Sequence, residues 1–324
     1  MADASTRSRA EAQRGDFRVK MMYHPSHHVP DLGEAERWFA DVFGRPSTNL
    51  AELRRGAPPR PGYPSDYSTF TVVGDVLFDT IDPKRYVLLG VQRYATVDRP
   101  RLKGFGWYIE GLDVVYRRLR DHDIRVVSQL DELAEGDEPP AAASSPMTLY
   151  FSLPEDTGLR YEFFPAIAFG LDPRTAPDWS LPPVSKDDPL GIERCSHHTV
   201  LTARPERALR LVVDVLGGTI VHEGRDELRR TSGVSVTLGD SVLEYAVPDR
   251  GTAAYDDWST DDPDDTYHAI TWKVADLARA RRHLESHGVR LQLVSEDTIV
   301  TDPSTSLGIP WGFTVRPTPG ERPG

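Results

Sequence analysis

Residues 21–44, MMYHPSHHVPDLGEAERWFADVFG, decide the fold. A short strand ends near Val29, and Asp31 caps a helix in which Glu34, three residues on, stands at capping-box spacing. Leu32, Ala35, Trp38, Phe39, Val42 and Phe43 recur at helical spacing and make one apolar face, until Gly44 stops the helix. The same order of strand, turn and amphipathic helix returns at 104–128 (GFGWYIEGLDVVYRRLRDHDIRVVS), 194–221 (RCSHHTVLTARPERALRLVVDVLGGTIV) and 267–293 (YHAITWKVADLARARRHLESHGVRLQL). Gly217 with Gly218 and Gly288 end the third and fourth helices, while His122 and Asp123 end the second.

Alternating apolar runs between the helices predict strands: YSTFTVV with DVLFDTI, MTLYFSL with GLRYEFF, GVSVTL with SVLEYAV, and TIVTD with WGFTVRP. Gly74-Asp75 and Gly239-Asp240 mark tight hairpin tips. The repeats therefore imply an α+β fold of four βαβββ modules, paired into two open half-barrel domains at 18–167 and 191–318. A polar tail at 1–17 is expected to be disordered, and the proline-rich stretch 168–190 is expected to link the domains. Two modules side by side curve around a shared cavity, a natural place for a ligand.

Composition narrows the function. The chain has 324 residues, 39% of them apolar, and a net charge of -12. That charge opposes nucleic-acid binding, and there is no Lys/Arg patch interleaved with aromatics. No apolar run is long enough to span a membrane, and the N-terminus has no secretory h-region. The single cysteine, Cys195, excludes an internal disulfide and fits the cytoplasm. Its alternation with His197 would place the two on one strand face, although burial as a plain thiol is the simpler expectation. The expected partner is a small-molecule substrate, with a homo-oligomer left open.

The segments VPDLGEAERWFADVFG, ARPERALRLVVDVLGG and KVADLARARRHLESHGV, each followed by strands, resemble the vicinal oxygen chelate superfamily of glyoxalases, bleomycin-resistance proteins, epimerases and extradiol dioxygenases. The resemblance runs from about residue 20 to 317. It implies a divalent metal ion, Fe2+, Zn2+, Mn2+ or Ni2+, held by the first and last strands of paired modules. On that basis His24, Asp79 and Glu162 are the metal candidates of the first half, with Gly104 at the position that offers no ligand. His197 and Glu244 are those of the second half, where Gly312 stands at the last-strand position and His268 is one residue out of register. A strand bulge would bring His268 inward. His28, His198, His268 and Tyr267 are the candidate acid–base residues.

The residues allow this chemistry on their own terms. Imidazole with two carboxylates suits a divalent transition metal and leaves positions open for water or substrate. His24, Ser26 and His28 alternate onto one strand face, whereas a partly exposed histidine cluster is the plain alternative. Glu162 faces either the cavity or solvent, with Tyr161 on the other side, and Asp79 either binds metal or edges a turn. The expected function is a metal-dependent enzyme acting on a small oxygenated, cyclic or aromatic substrate, by ring-cleaving dioxygenase, isomerase, epimerase or lyase chemistry. The alternative is a non-enzymatic binding or resistance protein, with Trp107, Tyr108, Trp272, Trp311 and Phe313 stacking on a flat ligand.

Overall fold

The computed structural model describes residues 17–56, 60–167, 170, 172–260 and 264–321. Most of the expected tail, 1–16, lies outside them. The first module comprises β1 (Arg18–His28), α1 (Leu32–Val42), β2 (Thr48–Asn49), β3 (Ser68–Val73) and β4 (Val76–Ile81). Asp31 caps α1 through a 3.0 Å bond from the Glu34 amide. A small ribbon, β5 (Val87–Leu88) and β6 (Val91–Gln92), precedes the second module: β7 (Arg101–Glu110), α2 (Leu112–Asp121), β8 (Val126–Val127), β9 (Tyr150–Ser152) and β10 (Tyr161–Pro165). The third has β11 (Ile192–Leu201), α3 (Pro205–Leu209), β12 (Thr219–Asp226), β13 (Thr231–Leu238) and β14 (Ser241–Pro248). A short helix, α4 (Ala253–Ser259), leads to the fourth: β15 (Thr266–Val274), α5 (Leu277–Ser286), β16 (Leu291–Val294), β17 (Thr298–Thr301) and β18 (Gly312–Thr314).

Each half is one eight-stranded sheet, ordered β2-β3-β4-β1-β7-β10-β9-β8 and β12-β13-β14-β11-β15-β18-β17-β16. Within every module the first strand pairs parallel to the last, and the two first strands of a half pair antiparallel. The four expected modules and their pairing into two open half-barrels are thus the observed architecture.

Strand alternation sorts the side chains into two faces. The outer faces and their helices merge into one apolar core across both halves, including Phe39, Phe43, Trp107, Tyr161, Trp272 and Trp311. Trp311 packs against Trp38 at 5.9 Å and Phe43 at 5.1 Å. Four of the aromatics expected to meet a ligand, Trp107, Trp272, Trp311 and Phe313, belong to this core; only Tyr108 faces inward. They occupy the strand positions opposite in parity to the ligand face, and burial between sheets is what large apolar rings at such positions satisfy. Polar pins reinforce the joint: His27 Nε2 to the Leu307 carbonyl at 3.0 Å, and the Asp75 carboxylate accepting from the Cys195 amide at 2.7 Å. In the connecting stretch Arg174 is buried, paired with Asp172 at 2.6 Å and bonded to main-chain carbonyls of Met22, Tyr23 and Asp75.

Candidate metal centre in the amino-terminal half

The inner face of the first sheet is a cavity of about 450 Å³ walled by Tyr23, Tyr63, Tyr67, Phe70, Tyr86 and Tyr94. His24, Asp79 and Glu162 meet on it. A register shift between Met22 and Pro25 in β1 places Tyr23 and His24 side by side, their rings 4.1 Å apart. Asp79 lies between inward Leu77 and Ile81 on β4, and Glu162 between outward Tyr161 and Phe163 on β10. His24 Nε2 is 3.5 Å from Glu162 Oε2 and 3.9 Å from Asp79 Oδ2.

Burial governs the electrostatics. It lowers the His24 pKa to about 3, helped by the Arg174 charge, so the imidazole is neutral. It pushes Asp79 up to about 7, and it pushes Glu162 up to about 8 with a further contribution from Asp79. Neither carboxylate forms an ion pair with a lysine or arginine among the described residues, and Asp79 Oδ1 is buried with no hydrogen-bond partner. Donors about 2.1 Å from a shared ion lie roughly 3 to 3.5 Å apart, so His24 and Glu162 stand at the edge of that range and Asp79 would have to move closer to His24. Among the described residues no group of three or more His, Cys, Asp or Glu side chains lies close enough, as placed, to hold a metal ion. A neutral imidazole and two carboxyl groups with no ion-paired lysine or arginine are donor types that suit a divalent ion.

His28 shares the inner face, 3% exposed, with its ring 4.6 Å from that of Tyr94 and no hydrogen bond at either nitrogen. His27 points the other way, into the core. At Gly104 a Cβ would stand 2.5 Å from the Arg160 carbonyl, so the fourth position is closed to any side chain without backbone movement.

The carboxy-terminal half differs. His197 Nε2 is 3.8 Å from Glu244 Oε2, and Glu244 accepts a 2.7 Å bond from the Thr199 hydroxyl. The place a side chain at Gly312 would take is filled by Thr271 and the Arg229 guanidinium. Arg229 is held by Asp226 at 3.0 Å and Thr271 at 2.8 Å. A fixed cation beside only two donors does not fit a metal ion. The anticipated bulge does occur at His268, between the Ala269 and Tyr267 pairings. His268 nevertheless turns into a separate crevice and pairs with Asp257 of α4 at 2.7 Å. His198 and Tyr267 bond each other at 2.6 Å against Phe105 in the interdomain core. A second bulge between Cys195 and His197 breaks their alternation, so Cys195 Sγ lies 3.4 Å from His198 and burial pushes its thiol pKa up.

Sequence reading passed over Arg160 and Tyr94 beside the first site and Arg229 in the second. For Arg160 a signal existed: it stands two residues before Glu162, just ahead of β10.

No family model matches the sequence, and no curated protein is similar to it. Solved structures do share its fold. The Mn(II)-bound glyoxalase from Novosphingobium aromaticivorans aligns with a TM-score of 0.55 at 12% identity, over 92% of this chain and 82% of that one. A mutant of 4-hydroxymandelate synthase from Streptomyces coelicolor aligns with a TM-score of 0.57 at 12% identity, over 93% and 95%. The four βαβββ modules in two open sheets thus share the fold of these two structures, as the resemblance to the vicinal oxygen chelate superfamily implied.

Proposed function

We propose that the protein is a metal-dependent enzyme whose working site is His24, Asp79 and Glu162, acting on a small oxygenated, cyclic or aromatic molecule. The observation that carries this is a buried neutral imidazole set between two carboxylates that lack any ion-paired lysine or arginine among the described residues. A divalent ion held there would supply Lewis acidity, steadying negative charge as it develops on substrate oxygens. The tyrosine walls would hold a ring by its faces and exclude water. His28, neutral and free of hydrogen bonds, lines the adjoining chamber, and with its pKa lowered to about 3 by burial it would orient a substrate group rather than take a proton from it. Ring cleavage, isomerisation, epimerisation and elimination are all chemistry such a site performs. A non-enzymatic binding role is favoured by one feature, the loss of the fourth ligand position at Gly104.

Elemental analysis of untagged protein purified without added metal tests the reading. We expect close to one divalent ion per chain, lost on His24→Ala with Glu162→Ala and kept on His197→Ala with Glu244→Ala. Wild-type protein that stays empty after incubation with each candidate ion would sink the enzyme reading.

A further inference from the structure

A second chamber of about 270 Å³ adjoins the first, and Ser26, Tyr94, Phe151 and Glu162 line both. Its wall includes His28, Lys103 and Arg160. Arg160 lies over the Phe151 ring, 4.4 Å from its centroid, and gives its Nη1 to Asp131. Its Nε and Nη2 are buried and have no hydrogen-bond partner. These two donors form one edge of the guanidinium, the edge whose parallel N–H bonds match the two oxygens of a carboxylate.

The charge around the chamber is mixed, and Glu162 on its wall also feels the Arg160 guanidinium. Asp131 is shared between Arg160 and the buried Arg93, whose Nη1 lies 2.9 Å from it, so two guanidiniums answer to one carboxylate. Across the chamber Asp265 is matched by Arg207 at 2.6 Å, and Asp264 also lines the wall. His28 adds an independent sign of a missing ligand, being fully enclosed with both nitrogens unsatisfied.

We propose that Arg160 and His28 form a carboxylate subsite, so that the substrate is a compact cyclic or aromatic carboxylic acid. This rests on the proposed metal site only for where the rest of the substrate lies. Arg160 immediately precedes β10 and Glu162 is its second residue, and both line the second chamber. The acid group would sit in the second chamber, with the ring directed past Glu162 toward the tyrosines of the first.

Calorimetric titration with 3-phenylpropanoate and with its uncharged amide tests the subsite, on metal-loaded protein and again after chelation. The acid is expected to bind at least about tenfold more tightly than the amide in both states. Arg160→Met should abolish that preference while leaving amide affinity unchanged. Arg160→Lys, which keeps the charge and loses the fork, should retain part of it and guards against misfolding of the first variant. Equal affinity for acid and amide in the wild type, or a preference that survives Arg160→Met, would overturn the subsite. A preference that vanishes with the metal would also overturn it, since the acid would then be binding the ion. If the protein never takes up metal yet discriminates through Arg160, the enzyme reading fails and the subsite stands.

Discussion

Asp79 and Glu162 show how a residue's surroundings define its task. In water both would be ionised at neutral pH, but burial raises them to about 7 and about 8. Without metal, each holds its proton below its own raised value, and a cation must displace those protons to bind. Metal affinity should therefore fall as pH falls from about 8 to 6. Loading at pH 6.5 should release between one and two protons, and loading at pH 9 almost none. Titration calorimetry in buffers of differing ionisation enthalpy measures this directly; proton release independent of pH would remove these carboxylates from the ligand set. Their candidacy came from the family resemblance, since the residues alone left Glu162 between cavity and solvent and Asp79 between ligand and turn. Cys195 was placed on the wrong side because a bulge flips parity without leaving a mark on composition. Arg160 could be placed beside Glu162 by alternation, but its open fork depends on Arg93 and Asp131, both distant in the chain.

Among the elements, helices and hairpins were readable since caps, glycine stops and periodicity are local. The third helix departs from regularity: after Pro205–Leu209 it widens into π-helical turns at Arg210–Val215, which buries Leu211, Val212 and Val215. Close approach between strands was not readable, because it depends on distant backbone. Gly104 of β7 is the clearest instance, facing the Arg160 carbonyl with no room for a Cβ. Gly104→Ala should cost about 1 to 3 kcal/mol by overpacking, read as a lower denaturant midpoint at unchanged slope. Because the displaced atom belongs to Arg160, the same variant should also weaken the acid-over-amide preference. An unchanged midpoint would show that the two strands separate easily, and the glycine would then need another explanation. The same crowding argues that Gly104→His cannot supply the fourth ligand without moving this backbone.

At the scale of the whole molecule, the sequence suggested two half-barrel domains joined by a linker, and in the structure one apolar core runs across both sheets. Counting modules reveals how many sheets form but not which faces meet, since outer-face apolar residues look alike whether a helix or a second sheet covers them. His27 reports on that joint. It is completely buried, its Nε2 meets the Leu307 carbonyl of the other half, and burial lowers its pKa to about 4 despite the bond to that carbonyl. In the unfolded chain its pKa is near 6.5, so between pH 6.5 and 4 the unfolded state binds the proton and the folded state does not. Stability is therefore full above about pH 6.5 and declines as pH falls toward 4, with His27 alone contributing on the order of 3 kcal/mol of the loss. Glu162 and Asp79 act in the opposite sense, because the folded state protonates them first, so the wild-type curve alone cannot isolate the joint. The difference between wild type and His27→Gln can. Glutamine retains an amide donor for Leu307 but does not titrate, so the variant should be close to wild type at pH 7.5 and gain on it steadily down to pH 4. Chemical denaturation at fixed pH steps measures this difference, and parallel curves across the range would show that the joint admits water to His27. Because the core is continuous, each transition should also be single, with both halves unfolding together.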